Sequence, residues 1–451
     1  MKKEEAKEVL QIAVPAVGEM ILYMMTGVLD TLMIGRYGGQ LSVSAVGISW
    51  EILNVFANIF VIMGICVAIT SMVSRLYGAK QMDTAEEYAS ICSFIGIIII
   101  FFCITIIFTF ADKILKLAGC TPEVLLISKR FIRIVCIGMF FNMTTSLLSS
   151  IQRSYGNTKI PLIGSLILII VNLTLDYSLI FGKFGFPELG IDGAAIATVI
   201  AQICSFLFAL YYILTKSKIK IKLHYITDIT FNKLKHIFKL SIPASLQEGA
   251  FSISRLLTTF MIMRLGTLSF SANTITESLE SLSYMPGWGF AVACTSMVGN
   301  KFGEEDYKGA KRCANNCAVL GLIVMLCVAS LFILIPELLI KLFIGSTEID
   351  VIKLGTKCLM IASLQQPTMA FSMIYGGALK GIGNTTTPFK ISLFTGWCIR
   401  LPLTFYFIFI KKLSVTYFWS ICVIQWFVDA ILIYIAYRKN FSTFCKKEGV
   451  S

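Results

Sequence analysis

Apolar runs of about 17–25 residues, set apart by short polar or charged stretches, recur along the whole chain, each long enough to cross a hydrocarbon core of about 30 Å as a helix. Twelve spans are predicted, at 12–34, 45–71, 89–111, 130–152, 161–182, 191–214, 240–263, 270–298, 314–335, 356–379, 388–410 and 414–437. Closed β-barrels are the other way to satisfy a backbone in lipid. Runs such as FIGIIIIFFCITII at 94–107 lack the period-two alternation a barrel strand needs, so every span reads as helix.

The pattern also repeats. RYGGQLSVSA at 36–45 returns as RLGTLSFSA at 264–272, GNTKIP at 156–161 as GNTTTP at 383–388, VPA at 14–16 as IPA at 242–244, and TSMV at 70–73 as TSMV at 295–298. The offset is half the chain. A solenoid, which needs several units of about 20–50 residues, is excluded, and a duplicated membrane chain implies two bundles with a pathway between them. The expected fold class is an all-α integral membrane protein of twelve transmembrane helices in two pseudo-symmetric six-helix bundles. Its expected parts are an N-lobe at 1–215, a cytoplasmic basic connector at 216–239, and a C-lobe with a short tail at 240–451.

Composition agrees with a lipid environment: 56% of residues are hydrophobic and only 14% charged, against about 25% charged in soluble domains. The mean hydropathy is +0.80. MKKEEAKEVL at the start mixes lysines with glutamates and has no cleavage signature, so it reads as a retained cytoplasmic segment. With both termini inside, most of the 39 lysines and arginines fall in cytoplasmic loops, following the positive-inside rule. The net charge of +13 therefore calls for no nucleic-acid partner. Much of it sits in the connector KSKIKIKLHYITDITFNKLKHIFK, expected to be solvated or to lie against anionic headgroups. The fourteen cysteines fall mostly singly within apolar runs, and both histidines, His224 and His236, lie in the connector, so neither a zinc site nor a His-dependent catalyst is expected and no cofactor is.

An ionised side chain at a helix centre costs about 2.5–3.5 kcal/mol on insertion scales, so intramembrane carboxylates are the first candidates for function. Asp30 lies in GVLDTLMIG, and Asp176 in NLTLDYSLIFG with Asn172 one turn earlier on the same face. Counting about 18 and 15 residues in from the cytoplasm at 1.5 Å each brings both aspartates to the outer half of the bilayer. Thr198, on the descending sixth helix, falls at a similar depth. Two carboxylates, an amide oxygen and a hydroxyl would suit a hard cation or a proton, and the sequence leaves that choice open. If the ion is Na+, then Asp30, Asp176 and Asn172 are the expected ligands.

Glu248, Arg255, Glu277, Glu280 and Arg400 are further ionisable residues within spans, and Arg255 and Glu277 have depths that allow an ion pair. Glu51 and Asp429 lie closer to helix ends, where a carboxylate reaches water cheaply. Pro15, Pro243, Pro286, Pro367 and Pro402 interrupt helices by removing backbone hydrogen bonds. Met261, Met263, Tyr284, Met285, Met373 and Tyr375 are candidate lining for a substrate cavity, since methionine-rich surfaces re-pack around varied ligands.

Together the two six-helix repeats, Pro15 ahead of VLDTLMIGRYGG, N-x-x-x-D at 172–176, P-x-L-G-x-x-G-A-A at 187–195 and the paired G-N-T elements resemble the multidrug and toxic compound extrusion (MATE) family over nearly the whole chain. The resemblance implies export of small organic, often cationic and aromatic compounds by antiport with Na+ or H+, through alternating access in the cytoplasmic (cell inner) membrane. Its DinF-like branch has an N-lobe acidic site that matches Asp30, Asn172, Asp176 and Thr198, with Asn142 as a looser match on the fourth helix. Another branch uses a C-lobe acidic site, for which Glu248 or Glu277 would be the candidates. The chain is expected to act as a monomer in the lipid bilayer. The repeat of Asn172–Asp176 reads IRLPLTF, without an acid, so coupling should be asymmetric.

Two other readings stay open. A flippase for lipid-linked oligosaccharides or peptidoglycan precursors shares the wider superfamily but commonly has extra helices and a more basic cavity. A lipid-modifying membrane enzyme would need a metal or general-base cluster, and no DDxxD, HExxH or His-rich loop is present.

Overall fold

The computed structural model describes residues 3–117, 120–344 and 348–447, and among these residues the chain is helical with no strand. The first half holds α1 (Glu4–Gly39), α2 (Leu41–Gly78), α3 (Met82–Leu117), α4 (Pro122–Ser154), α5 (Lys159–Ile180) and α6 (Gly190–Thr215). The second holds α7 (Phe231–Met263), α8 (Thr267–Gly303), α9 (Tyr307–Leu334), a short α10 (Pro336–Ile344), α11 (Ile349–Ser363), α12 (Gln366–Gly381), α13 (Thr386–Ile410) and α14 (Val415–Lys447). The predicted span 356–379 is thus two helices. Pro367 has no N–H to donate and is tolerated in a first turn, so the chain ends α11 at Ser363 and restarts with Gln366 and Pro367.

Eight helices among the described residues are long and apolar enough to cross a membrane. α8 falls short of that measure because it is rich in polar residues, of which Asn273, Thr276 and Ser283 are buried. The outward faces are the apolar ones. Phe101 and Phe102 on α3 and Ile170 on α5 are each 62% exposed, a surface suited to hydrocarbon rather than water.

Contacts divide the chain into two compact units, Gly18–Ser245, and Met1–Val17 with Leu246–Ser451. Both boundaries within the helices, in α1 and in α7, come just after a proline, Pro15 and Pro243. In the first unit Ile65, Ile69, Ile91, Ile132 and Leu147 form the core. In the second, Val9 and Ala13 pack with Phe290, Met297, Ile374 and Tyr437.

The repeated glycines have a local reason. Gly156 and Gly383, φ 83° and 86°, end α4 and α12 in the left-handed region that side chains avoid. Asn384 Oδ1 then accepts the N–H of Thr387 at 3.0 Å, capping the next helix.

The connector keeps its lysines exposed and is also tethered to the first unit. Ser217 and Ile219 are buried while Lys216, Lys218 and Lys220 are exposed, an alternation of extended backbone lying on the first unit. Glu86 accepts the Lys220 N–H at 3.1 Å and pairs with Lys222 at 2.5 Å, and Ser90 Oγ accepts the Lys222 N–H at 3.0 Å. From Phe231 onward the connector is already α7.

Candidate functional site

Asp30 on α1, Asn172 and Asp176 on α5 and Thr198 on α6 are all buried, at 4%, 0%, 0% and 6% exposure. The Asp30 and Asp176 carboxyl groups lie close enough to act on one another. Ionised carboxylates only accept hydrogen bonds, so that approach calls for a proton or a cation between them. Asp30 Oδ1, both Asp176 oxygens and Asn172 Oδ1 have no hydrogen-bond donor, and such buried acceptors are costly unless something fills them. Asn172 Nδ2 points instead at Thr198 Oγ1, 3.5 Å away, and Thr198 donates to Ala194 O at 2.9 Å.

The P-x-L-G-x-x-G-A-A stretch sets this spacing. A Cβ on Gly193 would lie 2.6 Å from Leu179 O, so only glycine lets α6 come this close to α5. Gly190, at φ +58°, would drive a Cβ to 2.4 Å from the Tyr37 ring of α1. The motif is therefore the scaffold that brings three helices to one point.

Asn142 is half-buried, and its amide nitrogen lies 4.0 Å from Met139 Sδ on its own helix. Asp429, expected near water at a helix end, is instead 2% exposed and accepts hydrogen bonds from Ser372 and, at 2.7 Å, from Thr395. The helix α14 runs on to Lys447, which sets Asp429 deeper than the predicted span did. Glu51 is exposed.

In the second unit Glu277 accepts from Asn273 Nδ2 at 3.0 Å and Glu280 accepts from Gln365. Glu248 is half-buried, with Lys380 and Arg255 as the charges near it, and Arg255 is exposed. Met261 packs on the cluster of Ile262, Phe418 and Trp419. Tyr284 stacks on Trp288 and, with Met373, packs against Met325, Met369 and Ala370. Met263 is exposed and Met285 half-buried. Tyr375 is buried, donating to Asn315 Oδ1 at 3.2 Å. Arg400 lines a small pocket of ≈ 30 Å³ with Phe251, Ser254, Gln425 and Asp429.

Sequence reasoning missed Glu19, which pairs with Arg153 of α4 at 2.8 Å. Part of its signal was available, an acid inside the apolar run VGEMIL, but Arg153 falls just outside the predicted span 130–152.

A family model described as MatE matches residues 15–178 and again 243–406, so both halves answer to one pattern. A probable multidrug resistance protein NorM of Thermotoga maritima is 28% identical over 413 residues, covering 90% of this chain and 87% of that protein. The transporter YisQ of Bacillus subtilis, whose function is uncharacterized, is 25% identical over 94% of this chain and 92% of its own length. The structure of a MOP superfamily transporter from Pyrococcus furiosus superposes with a TM-score of 0.90 at 19% identity, covering 98% of this chain and 96% of that one, a likeness of fold. With both repeats matched by the same model over most of its length, the chain belongs to the MatE family.

Proposed function

We propose that this protein exports small organic compounds across the cytoplasmic membrane, driven by Na+ or H+ moving inward through Asp30 and Asp176. One observation carries the coupling assignment: two buried carboxyl groups are neighbours, with Asp30 Oδ1 and both Asp176 oxygens unmet by a hydrogen-bond donor. A proton or a monovalent cation would satisfy those oxygens, and among the described residues no positively charged side chain pairs with them. Asn172 and Thr198 supply the neutral oxygens of the same site. Binding at such a site drives transport only through a different affinity in the two access states. The names of the relatives, multidrug resistance proteins among them, support varied small-molecule cargo. The excess of lysine and arginine in the loops assigned to the cytoplasm supports both termini on that side.

The test is export of a fluorescent organic cation from proteoliposomes under an imposed Na+ gradient or pH gradient. Asp30→Asn and Asp176→Asn should each reduce gradient-driven export by about 5-fold or more. Export by both variants at the parental rate would refute the assignment, and the gradient that supports transport identifies the ion. Cargo that proves to be a lipid-linked precursor, with no movement of organic cations, would replace export by flipping.

A further inference from the structure

We propose that the turn joining α5 to α6 is seated in the membrane interface, with the Phe184 ring among the lipid headgroups and the tops of the acyl chains.

Two features of Phe184 conflict with a surrounding of water. Its backbone is left-handed, at φ +57°, a conformation that bulky side chains rarely adopt, and its side chain is 76% exposed. The other non-glycine residues with positive φ among the described residues, Lys80, Glu305 and Lys412, are all charged. A turn made for water takes glycine or asparagine at such a position. Phenylalanine there strains the backbone and, in water, leaves a large apolar ring uncovered. Lipid would cover it.

The turn is firmly built and continues a surface that already faces lipid. Gly182, at φ 62°, ends α5, and the Lys183 N–H donates back to Ser178 O at 3.0 Å. Gly185, at φ 82°, turns the chain again, with the Phe186 N–H on Lys183 O at 3.2 Å and the Leu189 N–H on Leu179 O at 2.9 Å. The Phe184 ring lies 6.1 Å from that of Tyr177, which is 5.9 Å from that of Phe181. Tyr177 is itself exposed, in line at helical spacing with the exposed Ile163, Leu166 and Ile170. The apolar outer stripe of α5 thus runs past the helix end onto the turn.

Helix length sets the depth. The 22 residues of α5 span roughly 33 Å at about 1.5 Å each, matching a hydrocarbon core of about 30 Å. Between Lys159 and Lys183 the one charged residue is Asp176. Residues 181–186 therefore fall at headgroup level, where aromatic rings concentrate and the exposed Lys183 can meet a lipid phosphate. Asp176 lies about one turn before the end of α5, so an anchored turn holds the carboxyl pair at a constant depth in the bilayer.

The experiment is tryptophan emission from the full-length Phe184→Trp variant in proteoliposomes, with the parent, which has five tryptophans, subtracted as baseline. Quenching is compared among lipids brominated near the top of the acyl chain, lipids brominated near its end, and dissolved iodide. The expected result is blue-shifted added emission, lost more with the shallow bromine than with the deep one, and little affected by iodide. Quenching by iodide alone would place the ring in water, and quenching by none of the three would place it under protein, such as a second copy of the chain. Stronger quenching by the deep bromine would place it in the hydrocarbon centre. Each of these three results overturns the proposal. If Phe184→Trp does not fold, Tyr177→Trp, whose ring position lies beside it, reads the same contrast with the same outcomes.

Discussion

Arg153 of α4 reaches Glu19 of α1 with Nη1 2.8 Å from Oε1 and 3.0 Å from Oε2, and both side chains are about nine-tenths buried. Removing one partner leaves a buried charge uncompensated, which costs about 3–5 kcal/mol, whereas replacing both with neutral groups of similar volume is often tolerated. Glu19→Gln and Arg153→Met are each expected to lower the melting temperature strongly, and the double variant to recover much of the loss. Additive losses in the double variant would show that the pair is not the stabilising contact.

The acid pair makes a functional prediction. Coupling free energies of about 1–3 kcal/mol correspond to effects of about 5–150-fold, so Asp30→Asn or Asp176→Asn should reduce the gradient-dependent component of export by a factor in that range. Melting temperature should stay near the parental value or rise, because an amide relieves the approach of two buried acids. Export measured in proteoliposomes, alongside melting in detergent, separates the two effects.

Gly193 offers a structural test of the site's spacing. A methyl group there meets Leu179 O at 2.6 Å, and overpacking of this kind costs about 1–3 kcal/mol. Gly193→Ala should destabilise the protein and impair coupling together. Gly249, in α7, has nothing within 4 Å of an added Cβ, so Gly249→Ala is the control, expected to be neutral or to stabilise by about 0.4–1 kcal/mol. Melting temperatures of the two variants check the contrast.

The strap at 216–222 predicts a pH dependence. Its Lys222 is held above the ordinary lysine range, first by its hydrogen bond to Glu86. A group whose pKa is raised on folding stabilises fully below its unfolded value, about 10.4 for lysine, and that contribution is lost as pH rises through the folded value. Protection of the Lys220 and Lys222 N–H groups from hydrogen exchange, relative to the intrinsic rate at each pH, should therefore persist at neutral pH and fall in alkaline buffer beyond that range. Glu86→Gln should show the lower protection already at neutral pH, and equal protection in parent and variant would refute the anchoring role.

The spans were legible because lipid imposes a length and an apolar character that each run displays in one dimension. Asp30, Asn172, Asp176 and Thr198 were legible for the same reason: a polar group in hydrocarbon stands out against its neighbours. Glu19 stood out too and was passed over, since its partner Arg153 sits at a predicted span edge. Asp429 was misplaced because helix ends cannot be read closely from hydropathy.

What the sequence by itself determined is the helical membrane fold and its duplication, since both are written in apolar periodicity and repeated motifs. What only the tertiary structure decided is which polar groups meet. The approach of Asp30 to Asp176 depends on Gly190 and Gly193 admitting close helix contact, and the burial of Asp429 depends on how far α14 continues. Both are matters of backbone path, and a linear pattern of polar and apolar residues carries no measure of distance between helices.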